Sequence, residues 1–467
     1  MPWSTALIQA TDGNFYGTTF QGGAYGQGTV FKVTPNGELT TLYSFCAQAG
    51  CPDGAGPNAG LVQASDGNFY GTSGGGSGKS GTIFKITPEG TLTTLHSFNG
   101  ADGSSPGPLI QATNGNFYGT TYGGGNIQAC PGDPGCGTIF EFSAGGKLTT
   151  LYAFGGPNGQ GPENLIQAND GNFCGTTAMG GVVSDLCSLG STCGTVFEMT
   201  PTGQLTTLYK FQGSDGWWPG GGLLQGADGN FYGATFHGGA GNACNGQGCG
   251  TVFVITPAGK LTTLHSFALT DGTGPAAPLV QATDGNLYGT TGNGGPTAEV
   301  TCQTPGMCPA GWGTIFEITT EGEFTNLYNF DSTDGALPLG GLVQATDGNF
   351  YGTTNLGGNG YSGCGLGGCG TVFSLSTGLA PFVKLAPASG DAGVAVTILG
   401  TGLTDATKVT FNGKAAQFKI VSSTEIQATV PAEASTGKVE VTTPQGALSS
   451  NVPFQVPLHP EVRHGRF

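Results

Sequence analysis

The sequence predicts an all-β chain: a seven-bladed β-propeller of four-stranded blades over residues 1–385, a small β-sandwich over residues 386–456, and a loose tail, 457–467. Three observations carry that expectation. One motif recurs seven times, each copy holds four short strand-like runs parted by turn chemistry, and no copy contains a helical pattern.

The first run opens the motif. Leu7-Ile8-Gln9-Ala10-Thr11-Asp12-Gly13-Asn14-Phe15-Tyr16-Gly17-Thr18-Thr19 returns from Leu61, Leu109, Leu165, Leu223, Leu279 and Leu342. The Asn after the turn glycine falls at 14, 68, 116, 172, 230, 286 and 349, giving spacings of 54, 48, 56, 58, 56 and 63. Asp-Gly joins the first run to the second, because the hairpin turn needs a positive φ that glycine supplies without a Cβ clash. A Gly-rich stretch leads to the third run, Gly28-Thr29-Val30-Phe31-Lys32-Val33. Thr34-Pro35-Asn36-Gly37 then turns into the fourth, Leu39-Thr40-Thr41-Leu42-Tyr43-Ser44-Phe45. Apolar residues point to both faces of these runs, as they must in a blade buried by neighbours on either side. A solenoid competes, but it normally uses shorter repeats; four-stranded units of this length fit blades better.

The seventh copy departs from the pattern. It lacks the Leu-Thr-Thr-Leu run, and Leu379–Leu385 is expected to stand in as the outer strand, with Pro381 tolerable only at an edge. The ring would then close by side-chain packing between first and seventh blades, without a shared strand.

From Pro387 the period stops. Strand-like runs follow at Val394–Leu399, Lys408–Phe411, Gln417–Val421, Glu425–Val430, Lys438–Thr443 and Val452–Val456, with Asn412-Gly413 as a hairpin turn. That many short strands in about 70 residues reads as a small sandwich.

The repeated Leu-(Ile/Val)-Gln-Ala-x-Asp-Gly-Asn-Phe-Tyr-Gly-Thr-Thr, followed by Gly-Thr-(Val/Ile)-Phe, resembles the GloVer tandem repeat of bacterial exported proteins. Pro387-Ala388-Ser389-Gly390 through Gly400-Thr401-Gly402-Leu403, then Val409-Thr410-Phe411-Asn412-Gly413, resembles an IPT/TIG immunoglobulin-like domain. The resemblance implies a secreted or surface multidomain protein and brings no established catalytic site. IPT/TIG domains also occur in DNA-binding factors, a use that the charge opposes: 13 Lys+Arg against 29 Asp+Glu leave a net −16, which repels a phosphate backbone. Glycine supplies 91 of 467 residues and charged residues only 9%, which excludes coiled coils and charge-driven disorder. No apolar stretch approaches the roughly 20 residues that cross a bilayer.

Thirteen cysteines sort into six local pairs and Cys174. The pairs are Cys46/Cys51, Cys130/Cys136, Cys187/Cys193, Cys244/Cys249, Cys302/Cys308 and Cys364/Cys369. Disulfides pinning long loops are the structural reading, each worth roughly 2 kcal/mol for such small rings. A metal site would need tighter spacing and partner ligands, and only His237 lies near a pair. Cys174, in place of the Tyr of Phe-Tyr-Gly, reads as a buried thiol. Such cysteine density implies an oxidising compartment, so the chain is expected outside the cell or at its surface, with a leader lying upstream of Met1.

Up-down strand alternation puts the loop between second and third runs, and the connection to the next unit, at one end of each blade. All length variation and all six cysteine pairs then share a face, the usual place for binding. On it, Ser214-Asp215-Gly216-Trp217-Trp218-Pro219 offers two aromatic rings that could stack on sugars, or else pack as a lid over the blade edge. Asp53, Asp102, Asp215, Asp271 and Asp334 recur in the interblade loops; such carboxylates could hold calcium or a cationic ligand, or could simply make turns. His237 is the one histidine in a variable loop. The recurring Gln9, Gln63, Gln111, Gln167, Gln225, Gln281 and Gln344 suggest a structural hydrogen-bond ladder between blades. No singular catalytic constellation emerges and no cofactor is indicated. The leading expectation is a non-catalytic, monomeric scaffold that binds a glycan or a surface protein, and a polysaccharide-active hydrolase or lyase is the alternative.

Overall fold

The computed structural model describes residues 6–75, 80–126, 128–130, 135–187, 192–240, 244, 246–296, 311–358 and 368–457. Among them there is no α-helix, and all strands pair antiparallel into nine small sheets. The chain forms two compact units: Met1–Gln9, Phe15–Gln344 and Phe350–Leu375 make the first, and Ala10–Asn14, Ala345–Asn349 and Ser376–Phe467 the second.

Seven sheets make up the first unit. In sheet 1 the strands are Ile8–Gln9, Phe15–Thr19, Thr29–Val33 and Leu39–Ser44, paired in chain order. Sheets 2 to 6 repeat this four-stranded meander, and sheet 7 has three strands, Val343–Gln344, Phe350–Thr353 and Val372–Leu375. The turns are those the sequence implies. In sheet 2, Gly67 stands at φ +81° and its N–H bonds Ala64 O at 2.9 Å, while the Asp66 side chain accepts from Asn68 N at 3.0 Å.

The repeated Phe-Tyr-Gly has a steric cause. A Cβ on Gly17, Gly71, Gly119, Gly175, Gly233, Gly289 or Gly352 would sit 2.5–2.8 Å from the Cζ of the third-strand phenylalanine opposite it. Six of those rings (Phe31, Phe84, Phe140, Phe197, Phe253, Phe316) are 0–4% exposed and form the blade core, and the seventh, Phe373, is half-buried. The threonines pair across strands: Thr121 to Thr138, Thr177 to Thr195 and Thr235 to Thr251 each meet hydroxyl to hydroxyl at 2.8 Å, fully buried. A hydroxyl can donate and accept, so each pair satisfies itself without water.

Neighbouring sheets interlock through aromatics. Tyr16 stacks on Phe69 at 4.1 Å, Tyr70 on Phe117 at 4.2 Å, Tyr118 on Phe173 at 4.2 Å and Tyr288 on Phe350 at 4.3 Å. Phe15 meets Tyr351 at 4.1 Å, so sheet 7 packs back on sheet 1 and the ring closes through side chains. The glutamine ladder is present. Gln111 accepts from Ser65 N at 2.9 Å, Gln167 from Thr113 N at 3.0 Å, Gln225 from Asn169 N at 2.9 Å and Gln281 from Ala227 N at 2.9 Å, each reaching the preceding sheet. First strands lie innermost. Residues just before them crowd their counterparts, so that a Cβ on Gly221 would come within 2.5 Å of Ala277 O.

Two expectations are corrected. Leu379–Leu385 does not complete sheet 7: Lys384–Ala386 pairs with Ala395–Leu399 in the second unit. Pro381, which has no N–H to give a ladder, breaks the run first. Val452–Val456 is no strand either. Pro453 interrupts it, leaving isolated bridges at Phe454 and Gln455, and the last strand is Gly446–Ser449. The second unit otherwise holds two four-stranded sheets around Val396, Ile398, Phe411, Ile426, Val439, Val441 and Phe454, with Asn412 at φ +44° and Gly413 at +80° in the expected hairpin turn.

Candidate functional site

Strand order places the loops. With four antiparallel strands in chain order, the second-to-third loop and the exit of the fourth strand leave the same end of every sheet. Cys130–Cys136, Cys187–Cys193 and Cys244–Cys249 close the former loops in sheets 3, 4 and 5, and Cys46–Cys51 closes the latter in sheet 1. The two remaining expected pairs, Cys302/Cys308 and Cys364/Cys369, are not among these four bonds, because Cys302, Cys308 and Cys364 lie outside the described residues. Cys369 lies within them and is disulfide-bonded, so it is not a second free thiol, but its pairing with Cys364 in particular stays an expectation. Cys174 is the free cysteine among the described residues; it is buried, and burial pushes its thiol up to about 12.

The loop aspartates each serve their own turn. Asp215 accepts from Tyr209 Oη at 2.6 Å and Gln212 N at 2.9 Å. Asp271 accepts from Ala268 N at 2.7 Å and faces His265 Nε2 at 3.2 Å. Asp334 bonds Tyr328 Oη and Asp331 N, and Asp53 and Asp102 repeat the arrangement with Tyr43 and His96. The recurring unit is thus an aspartate clamping the end of a fourth strand to the following loop. Among the described residues no group of three His, Cys, Asp or Glu side chains could hold a metal ion.

Between sheets 4 and 5 the side chains depart from the repeat, although the backbone bridge there recurs as Thr273–Asn293 and Ala336–Leu356. Trp217 and His237 pair backbone to backbone (Trp217 N to His237 O 2.9 Å, the return bond 3.1 Å), and their rings stack at 4.3 Å. Trp217 is only 7% exposed. His237 is held neutral at pH 7, because burial lowers it to about 4. Trp218 is half-buried, lies against Phe236 at 5.9 Å, and donates its backbone N–H to Cys193 O at 3.1 Å. Its φ is +58°, unusual for so bulky a side chain. The matching residue before the proline is Gly56, Gly161 and Gly274 in sheets 2, 4 and 6, and Ser105 and Leu337, at φ +53° and +54°, in sheets 3 and 7. At the glycines the space is taken from the preceding sheet, since a Cβ would meet Phe20, Tyr122 or Phe236 at 2.7–3.0 Å. Next to Trp218 the preceding sheet offers only Ala178, so one large residue replaces another from the opposite side.

Glu163 completes the break. It lies on the innermost strand of sheet 4, and burial raises its carboxyl to about 7 against the pull of the Trp218 indole N–H. Neither Glu163 Oε1 nor Trp218 Nε1, both sealed from water, meets a partner at hydrogen-bonding geometry. A donor and an acceptor side by side and each short of a bond is costly. Sequence reasoning named Trp217, Trp218 and His237, which the structure brings together. It missed Glu163, although a signal was there: the residue after the interblade proline is Asn58, Gly107, Gly220, Ala276 and Leu339 in sheets 2, 3, 5, 6 and 7, and ionisable only in sheet 4.

The fold has solved relatives. A fungal alcohol oxidase of the AA5 family, solved in complex with copper, superposes with a TM-score of 0.54 at 14% identity over 98% of this chain and 97% of that one. A protein described as the extracellular domain of a hybrid two-component system from B. thetaiotaomicron superposes at 0.50 and 10% identity, over 97% of this chain and 57% of that one. At such identities the likeness is one of fold. No curated protein matches significantly. The sequence profile of the Gloeobacter/Verrucomicrobia repeat matches residues 1–185 and 131–304, and that of the IPT/TIG domain matches 382–456. The chain therefore belongs to the Gloeobacter/Verrucomicrobia repeat family and carries a C-terminal IPT/TIG domain.

Proposed function

We propose that the chain is an extracellular, non-catalytic scaffold that binds a glycan through the face carrying its variable loops, centred on Trp218. One observation carries this reading: on that face Trp218 stands half-buried where three of the other sheets carry glycine, which leaves an aromatic ring partly open to solvent. A partly exposed indole stacks on a pyranose. Disulfides at the same end support an oxidising compartment. No helix among the described residues is long and apolar enough to cross a membrane.

A polysaccharide-active enzyme is the second reading, favoured by the Glu163 carboxyl at about 7, a range suited to a general acid. Glycoside hydrolysis normally needs a second carboxylate beside the first. Screening the full chain against a polysaccharide panel separates the two. Saturable binding that Trp218→Ala lowers about tenfold, without released sugar, is the expected result. Reducing ends appearing in the wild type and vanishing in Glu163→Gln would move the assignment to the enzyme.

A further inference from the structure

The repeats are acidic, and they hold no arginine. Residues 1–375 contain 23 Asp+Glu against six Lys and not one Arg, a net −17. Among the described residues the end that carries the variable loops repeats the imbalance: the five interblade aspartates, Asp185 and Asp331 stand there against Lys210. A carboxylate or sulfate on a ligand is normally held by the bidentate fork of an arginine or by clustered lysines. This face offers neither, and its field repels such a ligand on approach. An ammonium is poorly served too, since the interblade aspartates spend their oxygens on their own tyrosine, histidine and backbone donors.

The loop that holds Trp218 in place is aliphatic. Val182, Val183 and Leu186, all within five residues, are 39%, 68% and 57% exposed. Cys187 and Cys193 staple this loop, and both belong to the core cluster against which Trp218 packs. Cys193 N donates to Val182 O at 3.3 Å, and Cys193 O accepts from Trp218 N at 3.1 Å. Ser184 Oγ ties the same loop to Gln212 O at 3.1 Å, and Leu186 lies over Gly213, where an added Cβ would come within 2.5 Å of Leu186 Cβ. An indole and three exposed aliphatic side chains are thus carried by one stapled unit.

We propose that this surface takes an uncharged polysaccharide and rejects uronate-bearing or sulfated ones. The proposal rests on the glycan reading above and adds the charge class of the ligand. The apolar C–H faces of neutral pyranoses lie on Trp218 and on the Val182–Leu186 loop. A carboxylate brought onto the same side chains would lose water without gaining a partner.

The test offers the full chain glucan, mannan and galactan, each uncharged and with its C6 carbons oxidised to carboxylates. Titration calorimetry is run at low salt and at about 0.15 M, where screening shortens to ~8 Å. At least one uncharged polymer should bind saturably, and its oxidised form about tenfold more weakly at low salt, with the gap narrowing at the higher salt. Val183→Ser plus Leu186→Ser changes only exposed side chains, so the fold is kept, and should weaken the uncharged polymer several-fold. The proposal falls if an oxidised polymer binds as tightly as its uncharged form while Trp218→Ala weakens both; the glycan reading then stands and the charge class alone is wrong. It falls equally if the double serine variant binds like wild type. It falls together with the glycan reading if no polymer binds, or if Trp218→Ala leaves binding unchanged.

Discussion

Glu163 shows what one side chain can reveal in a repeat protein. Its carboxyl stands at about 7 against an ordinary 4.5, so between those values the folded chain keeps a proton that the unfolded chain has released. The stability it confers is complete below about 4.5 and is lost as pH rises through about 7. His237 works the other way: lowered from 6.5 to about 4, it contributes above 6.5, and that contribution is lost as pH falls through about 4. Chemical denaturation at pH 5 and pH 8, compared between wild type and Glu163→Gln, isolates the first effect, because the opposite His237 contribution in that interval is common to both. The change in stability from pH 5 to pH 8 should be less favourable in wild type than in Glu163→Gln, and equal changes would contradict the burial. At the same scale, the chain unfolded without reductant should gain one alkyl group, at Cys174; several adducts would contradict closed loop pairs. Such residues are hard to find in sequence because their meaning lies in an exception. Trp217-Trp218 caught attention by composition, whereas Glu163 shows only once seven inner strands are aligned and one acid stands among Asn, Gly, Ala and Leu.

At the scale of the strand, a glycine and a phenylalanine fix each blade. Gly233→Ala would place a Cβ 2.6 Å from Phe253 Cζ and should destabilise the chain by about 1–3 kcal/mol. Trimming the ring in Gly233→Ala plus Phe253→Leu should recover part of that loss, measured as a coupling in denaturant unfolding. Additive losses would mean the two residues do not meet. The hairpin turns and the Gln ladder were legible because Asp-Gly, Pro-x-Gly and one recurring amide each have a local cause. The missing outer strand of sheet 7 was not. Leu379–Leu385 has the right length and apolarity, but which sheet a run joins depends on partners, and Lys384–Ala386 found its ladder beside Ala395–Leu399.

The whole first unit follows from closing seven similar sheets into a ring, which Phe15 against Tyr351 accomplishes without a shared strand. Closure sorts the connections: tight, nearly invariant turns at one end, disulfide-bearing loops of varied length at the other. That division was readable from strand counting alone, as was the presence of a second module. The chemistry of the loop end was less so. The loop aspartates bond their own tyrosines, histidines and backbone, a use that spacing cannot distinguish from ligation. The central claim is that recognition belongs to one face. Its most direct measurement takes the polysaccharide that binds the wild type most tightly and compares two variants: Trp218→Ala on the loop face, and Thr202→Lys in the tight turn of the opposite face. The account predicts about tenfold weaker binding for the first and no change for the second. Binding lost in Thr202→Lys and kept in Trp218→Ala would contradict it.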